Sequence, residues 1–331
     1  MRTRQLGPFE VSAIGLGCMN ISSGYDAADD ETSERLLLEA LDAGYRFFDT
    51  AAMYGDGHSE SLIGRVLKGR RQEFILASKC GLYKAASGAT KVNGRPETLK
   101  SQCEQSLRRL QTDVIDLYYL HRVDPDVPVE ESVGALGELL QQGKIRALGL
   151  SEVSTDTLHR AHREQPISAV QSEYSLWSRT PERSMLAACQ QLGVSFVPFS
   201  PLGRGFLAGN AGDVTTLSDG DIRLGIARPR FEPDNFAANS RLLEPMTDIA
   251  NQQGCNLAQL ALAWLLAQSV PSVIPIPGTK RIDHLRENAQ AAEQLLPASV
   301  VEELDRLINE DTVIGARYSD AVMASVDSER D

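Results

Sequence analysis

The segment YRFFDTAAMYGDGHSESLIGRVLKGRRQEFILASK (45–79) holds one complete strand–helix–strand unit. An apolar run ends in Asp49 and a Gly-rich turn follows. Residues 59–68 then repeat apolar side chains at helical spacing, and 74–79 is apolar again up to Lys79. Short apolar strands joined through a helix pair as parallel neighbours, because the crossover returns the chain to the same end of the sheet.

The same alternation runs along most of the chain. It predicts strands at 13–18, 46–50, 74–79, 115–120, 145–150, 168–173, 195–200 and 272–276. Helices are expected at 31–43, 59–68, 97–110, 130–142, 154–163, 182–192, 240–253, 281–294 and 298–309. Their ends carry recognisable signals: Asp29 and Asp30 as caps, Pro96 and Pro128 as starts, Gly44 and Gly143 as stops. Eight such units are the number that closes a (β/α)8 TIM barrel, an α/β fold; a doubly wound open sheet is the alternative.

Three segments fall outside the repeat. RQLGPFEVS (4–12) reads as an N-terminal β-hairpin around Gly7-Pro8, placed to plug the barrel bottom. Residues 203–238 form a loop after strand 7 that is too long for a mere connection. The C-terminal helix leads into a tail ending in VDSERD, whose last residues are expected to fray. The expected organisation is one domain over 1–331, with a barrel core at 13–296 and the C-terminal helix and tail at 297–331.

The chain has 331 residues, a formal charge of −12 and 42% hydrophobic content, ordinary for a folded globular protein. The acidic balance argues against a nucleic-acid partner, which draws affinity from clustered Lys and Arg. Five scattered cysteines without C-x-x-C spacing indicate neither a disulfide framework nor a metal site, and point to a reducing compartment. LAQLALAWLLAQSV (257–270) carries two glutamines and falls short of the ~20 apolar residues of a membrane span, so it reads as a buried helix. With no apolar leader in MRTRQLGPFEVS, the expected location is cytoplasmic, with no membrane partner. Oligomeric state leaves no sign in the sequence.

In a barrel of this kind chemistry sits at the C-terminal ends of the strands. Asp49 ends strand 2, Tyr54 follows it, Lys79 ends strand 3 and His121 ends strand 4 in DLYYLH (116–121). Singly, these residues suit a turn cap, loop packing, a snorkelling lysine and a core imidazole. Together they alter one another usefully. An ammonium beside Tyr54 favours the phenolate, a carboxylate keeps that ammonium charged, and a neutral imidazole orients a carbonyl oxygen.

A proton donor needs a reductant. VIPIPGTKR (273–281) ends strand 8 and opens a helix, placing backbone amides, Lys280 and Arg281 where a barrel binds phosphate, with Arg286 a further cation; a solvated helix face with Asp283 and Glu287 is the plainer reading. GRGFLA (203–208), with Asp219 and Asp221 downstream, imitates a dinucleotide fingerprint but lacks the helix that must follow, so its glycines read as loop hinges.

These residues resemble the aldo-keto reductase superfamily from about Leu6 to Asp311. The matching motifs are GLGCM (15–19), GYRFFDTAAMYGDGHSE (44–60), LASK (76–79), IDLYYLH (115–121), GKIRALGLSE (143–152), VQSEYSLW (170–177), FSPLGRGFL (199–207) and IPGTKR (276–281). Their wording is similar to the bacterial and plant members related to perakine reductase and the inositol-operon reductases. The resemblance implies an NADPH-dependent barrel enzyme that reduces an aldehyde or ketone, a small-molecule carbonyl. It assigns Tyr54 as general acid, Lys79 and Asp49 as its tuners, and His121 as the carbonyl's anchor.

By the same pattern Ser151 and Gln171 hold the nicotinamide carboxamide, Phe199 stacks on its ring, and Glu152 is a cofactor-binding position whose contact a departure from the family's residue alters. Ser200, Leu202, Gly203 and Arg204 line the pyrophosphate. Gly278, Thr279, Lys280, His284, Glu287 and Asn288 surround the adenosine end, with Lys280 on the 2′-phosphate. Many members carry Asn in place of Glu152 and Tyr in place of Phe199. Met19, Met53, Tyr83, Trp177 and parts of 203–238 and 312–320 are expected to shape a partly apolar substrate pocket; no metal is implied. A redox-sensing regulatory subunit that binds the nicotinamide with little turnover is the alternative function, and a barrel hydrolase or lyase using Asp49 and His121 is a third.

Overall fold

A computed structural model describes residues 1–22, 29–85, 87–209, 211–212, 214–218, 220–268 and 272–330. Asp219 and the end of the 257–270 run lie outside the described residues.

In chain order the strands are β1 (Thr3–Leu6), β2 (Phe9–Ser12), β3 (Leu16–Gly17), β4 (Phe47–Asp49), β5 (Ile75–Cys80), β6 (Leu82–Lys84), β7 (Thr90–Val92), β8 (Ile115–Leu120), β9 (Ile145–Ser151), β10 (Ile167–Glu173) and β11 (Ser195–Phe199). The longer helices are α1 (Asp30–Asp42), α2 (His58–Leu67), α3 (Pro96–Leu110), α4 (Val129–Gln141), α5 (Thr155–Glu164) and α6 (Met185–Leu192). After short α7 (Arg228–Phe231) come α8 (Pro233–Ser240), α9 (Leu243–Gln252), α10 (Leu257–Leu266), α11 (Ile282–Gln290) and α12 (Ala298–Leu307), with a last turn α13 (Asp320–Met323).

β3, β4, β5, β8, β9, β10 and β11 form one parallel sheet in that order. The eighth strand expected at 272–276 is present only as an extended closing segment. Pro275 and Pro277 have no N–H to give a ladder. The segment nevertheless bridges the two edge strands: Phe196 N–H donates to Ser272 O, Ile274 N–H to Phe196 O and Ile276 N–H to Pro198 O, while Gly15 and Gly17 N–H donate to Pro275 and Pro277 O on the other side. The curled sheet is thereby closed into the expected barrel.

Two apolar layers hold it. Inside, Phe47, Ala77, Leu117, Tyr119, Ala147, Ala169, Val197, Ile274 and Ile276 meet Leu6 and Val11 of the N-terminal hairpin, which plugs the bottom as expected. Arg4 ties that hairpin to Val273 O and Leu266 O. Outside, the apolar faces of the helices pack on the sheet around fully buried Trp264, Tyr118 and Tyr174. Asp29 caps α1 as expected, accepting from Glu31 and Thr32 N–H, and Asn256 and Gln259 form a further reciprocal box before α10. No helix among the described residues is long and apolar enough to cross a membrane.

The β6–β7 hairpin escaped sequence reading because its strands are only three residues each. The tail corrects an expectation outright. Residues Asp327–Arg330 do not fray but form a docked turn in which Asp327 and Ser328 are buried.

Candidate active site

β4, β5 and β8 are consecutive neighbours, with Asp49 opposite Ala77 and Lys79 opposite Tyr119, so their polar ends emerge at one rim. Beyond Asp49 the chain still follows β5: Thr50 N–H donates to Ala77 O and Ala52 N–H to Lys79 O. Gly55, Asp56 and Gly57 then take φ of 59°, 53° and 88°, a left-handed run that turns the chain into α2 and leaves Tyr54 at the rim. A side chain at Gly57 would also meet Arg109 Cδ at 2.6 Å.

Lys79 is 1% exposed, and its Nζ donates to Asp49 Oδ1, to Thr50 O at 2.9 Å and to Tyr54 Oη at 3.3 Å. Three oxygens surround the nitrogen, one for each proton of an ammonium, an arrangement that suits the charged form. Burial alone would strip that proton, but Asp49 and Tyr54 outweigh it and hold the Lys79 pKa above the usual lysine value. Gln171 steadies the far oxygen of Asp49, donating Nε2 to Oδ2 at 2.7 Å.

The His121 ring lies edge-on to Tyr54, centroids 6.0 Å apart. Burial, with Arg122 and Lys79 nearby, pushes its pKa well below the usual histidine value, so the imidazole is neutral. Nδ1 is buried without a hydrogen-bond partner, which leaves Nε2 as the nitrogen available to a ligand.

Asp49, Tyr54 and His121 line one end of a cleft of about 590 Å³. Its walls also include Met19, Met53, Ser151, Gln171, Phe199, Ser200, Leu202, Arg204, Gly278, Thr279, Lys280, His284, Glu287 and Asn288, while Lys79 lies just beneath. At the far end α11 presents its N-terminus beside Gly278, where a Cβ would fall 2.9 Å from Asn20 Oδ1 and Gly17 O. That close approach is a cradle which suits a phosphate on backbone amides. Arg281 pairs with Asp283 and Arg286 reaches Glu39 on α1, so Arg286 belongs to the solvated face rather than the cleft.

The model of the aldo/keto reductase family matches residues 13–309. The chain belongs to that family. It is 40% identical over 322 residues to the aldo-keto reductase yakc [NADP(+)] of Schizosaccharomyces pombe, covering 96% of this chain and 94% of that one. Among solved structures it is similar to the glycerol dehydrogenase AKR11B4 of Gluconobacter oxydans, with a TM-score of 0.84 at 28% identity, covering 92% of this chain and 94% of that one. An aldo-keto reductase of Klebsiella pneumoniae in complex with NADPH gives a TM-score of 0.74 at 29% identity, covering 96% and 98%.

Four expected residues of this aldo/keto reductase lie away from the cleft. Glu152 takes a left-handed φ of 55° at the end of β9 and is fully buried. Its carboxylate accepts from Glu173 N–H at 2.9 Å and from Arg317 of the tail, so it has nothing left to offer a cofactor. Gly203 turns its N–H back to Ser200 O beneath the wall. Trp177 is core: it stacks on Phe206 at 4.2 Å under the long loop. Tyr83 points outward on β6 at 37% exposure, and its neighbour Leu82 lines the cleft instead.

The sequence of this family member points to parts of 203–238 and 312–320 as pocket walls without singling out Ile222, Arg223, Ile226 or Tyr318, which line the cleft there, and gives no place to Asn20 and Arg122. Arg122 carried a usable signal, since it directly follows a strand-end histidine. Ile222, Arg223 and Ile226 carried none, because the long loop has no periodicity to say which side faces inward.

Proposed function

We propose that the chain is an NADPH-dependent reductase of aldehydes or ketones. The observation that carries the reading is the buried Lys79 ammonium, shared between Asp49, Thr50 O and the Tyr54 hydroxyl at the end of a cleft that is also lined by Gly278, Thr279 and Lys280 before the α11 N-terminus. The donor set fits the cofactor. Ser151 and the free Oε1 of Gln171 serve a carboxamide, and Phe199 offers an aromatic face. Ser200, Leu202 and Arg204 serve the pyrophosphate, and Gly278, Thr279, Lys280, His284, Glu287 and Asn288 the adenosine end. Lys280 is the cation for a 2′-phosphate.

A nicotinamide held there supplies a hydride to the carbonyl carbon. The chain supplies the rest. His121 Nε2 donates to the carbonyl oxygen and orients it against Tyr54. The Tyr54 phenol gives that oxygen its proton, and the negative charge left on Oη faces the Lys79 ammonium 3.3 Å away. Asp49 keeps Lys79 charged throughout. In the reverse direction the phenolate takes the alcohol's proton back.

Met19, Met53, Leu82, Ile222, Ile226 and Tyr318 give the cleft a partly apolar and aromatic lining, which favours aryl or alkyl carbonyls over sugars. Loss of NADPH absorbance with a panel of aromatic and aliphatic aldehydes tests the proposal. Tight NADPH binding without turnover of any aldehyde overturns it in favour of a cofactor-sensing subunit.

A further inference from the structure

Arg122 is the second residue past β8, directly after His121, and nothing in the mechanism above uses it. Its Nη1 donates to His121 O at 2.6 Å and to Ser151 Oγ at 3.1 Å, and its side chain lines the cleft. The other arginines there are neutralised: Arg204 by Glu173, Arg223 by Asp221, Arg281 by Asp283. Among the described residues no carboxylate lies within ion-pair distance of Arg122. A half-buried guanidinium that feels the charge of Glu152 but has no directly paired carboxylate costs desolvation, so a local structural role would be filled better by a neutral side chain.

We propose that Arg122 is a positioning residue that couples the proton-delivery end of the cleft to its nicotinamide end, by fastening the His121 backbone to the Ser151 hydroxyl. The inference rests on the reductase reading for what Ser151 faces. The chemistry of the link has two consequences.

Because Ser151 Oγ accepts from Arg122, its own proton is left to be donated into the cleft, where it matches a carboxamide oxygen rather than the amide nitrogen. A serine without that partner rotates between both roles. The second consequence is electrostatic. The groups facing His121 are Lys79 from β5, Tyr54 from the loop after β4, and Arg122 itself. Asp49 on β4 is engaged by Lys79 and Gln171, and Glu152 at the end of β9 by Arg317. No carboxylate is left to stabilise an imidazolium, and Arg122 opposes one directly. His121 therefore stays a neutral hydrogen-bond donor where a free histidine would charge.

The test has two readouts. In ligand-free protein with 13C-labelled histidine, the His121 ring signal, assigned among the five histidines with His121→Asn, is followed from pH 8 to pH 5. In the native protein and in Arg122→Lys, which keeps the charge, the signal stays that of neutral imidazole. In Arg122→Met its titration moves up into the window. NADPH affinity, by quenching of protein fluorescence, falls about tenfold in Arg122→Met and in Ser151→Ala, the loss of one charge-assisted hydrogen bond. The double variant loses little more than either single one, because both changes break the same link.

An unchanged His121 titration in Arg122→Met, or fully additive affinity losses, overturns the inference. The titration needs no cofactor, so a chain that fails to bind NADPH refutes the reductase reading and leaves the Arg122 question to the histidine signal.

Discussion

Two of the buried ion pairs among the described residues do opposite things. Lys79–Asp49 joins adjacent strand ends 30 residues apart; Arg317–Glu152 joins the tail to a strand end 165 residues earlier. Each places charge where water is excluded, with both partners of each pair at most 7% exposed. In the first, a third partner, Tyr54, opens on the cleft, so the charge is available to chemistry. In the second, the hydrogen bonds and ion pairs are all internal: Ser328 Oγ and Glu173 N–H close off Glu152, Arg317 also pairs with Glu329, and it meets the cleft only through the face of the Tyr318 ring, 4.7 Å away. Burial of a charge pair is thus no mark of function by itself. A third, titratable partner facing a ligand is.

Variants sharpen that contrast. Tyr54→Phe removes the group that connects the first pair to the cleft, and should lower kcat by about 10²–10⁴-fold while NADPH affinity, read by fluorescence quenching, is retained. Equal losses in both would mean that Tyr54 only shapes the site. Arg317→Met strands Glu152 as a buried charge and should cost about 3–5 kcal/mol in urea unfolding. Pairing it with Glu152→Met should restore part of that stability, since the apolar pair removes the stranded Glu152 charge while Glu329 still lacks its partner.

The pH dependence of the second pair has a definite sign. Burial would raise the Glu152 carboxyl, but Arg317 and then Arg122 pull it down to about 2, against 4.5 when unfolded. Its contribution is therefore complete above about pH 4.5 and fades as pH falls towards 2. Glu152→Gln should flatten that acid limb in urea midpoints taken at pH 6 and pH 3; an identical slope would show that the carboxylate is not held this way. The smallest effect is expected from Asp327, whose Oδ2 accepts from Ser154 N–H and Oγ at the start of α5. Asp327→Ala should cost about 1 kcal/mol in the same assay, with turnover unchanged.

The first pair was legible in the sequence and the second was not, for one physical reason. Strand periodicity and barrel closure dictate which strand ends are neighbours, so Asp49, Lys79 and His121 fall together once the strands are placed. Nothing periodic relates Glu152 to Arg317. Family resemblance was actively misleading there, because it assigned Glu152 a ligand contact that its left-handed backbone and a distant arginine pre-empt. Trp177 failed differently: an aromatic near a strand end suits a pocket wall as well as a core, and only the presence of Phe206 beneath the loop decides between them. The eighth strand was placed correctly, but its two prolines, plain in the sequence, foretold how sparsely it would bond.

That sparse bonding has a consequence for how the barrel breathes. The closing segment is held to β11 and to the residues around β3 by isolated backbone bonds rather than a continuous ladder, making it the line along which the cylinder most readily parts. The phosphate cradle at Gly278 lies on one side of this line, and Ser200 and Leu202 on the other. A dinucleotide laid along the cleft therefore works as a stitch across a seam. Its binding energy adds to the work of opening, so the amide protons of Gly15, Gly17, Ile274 and Ile276 exchange more slowly once it is in place.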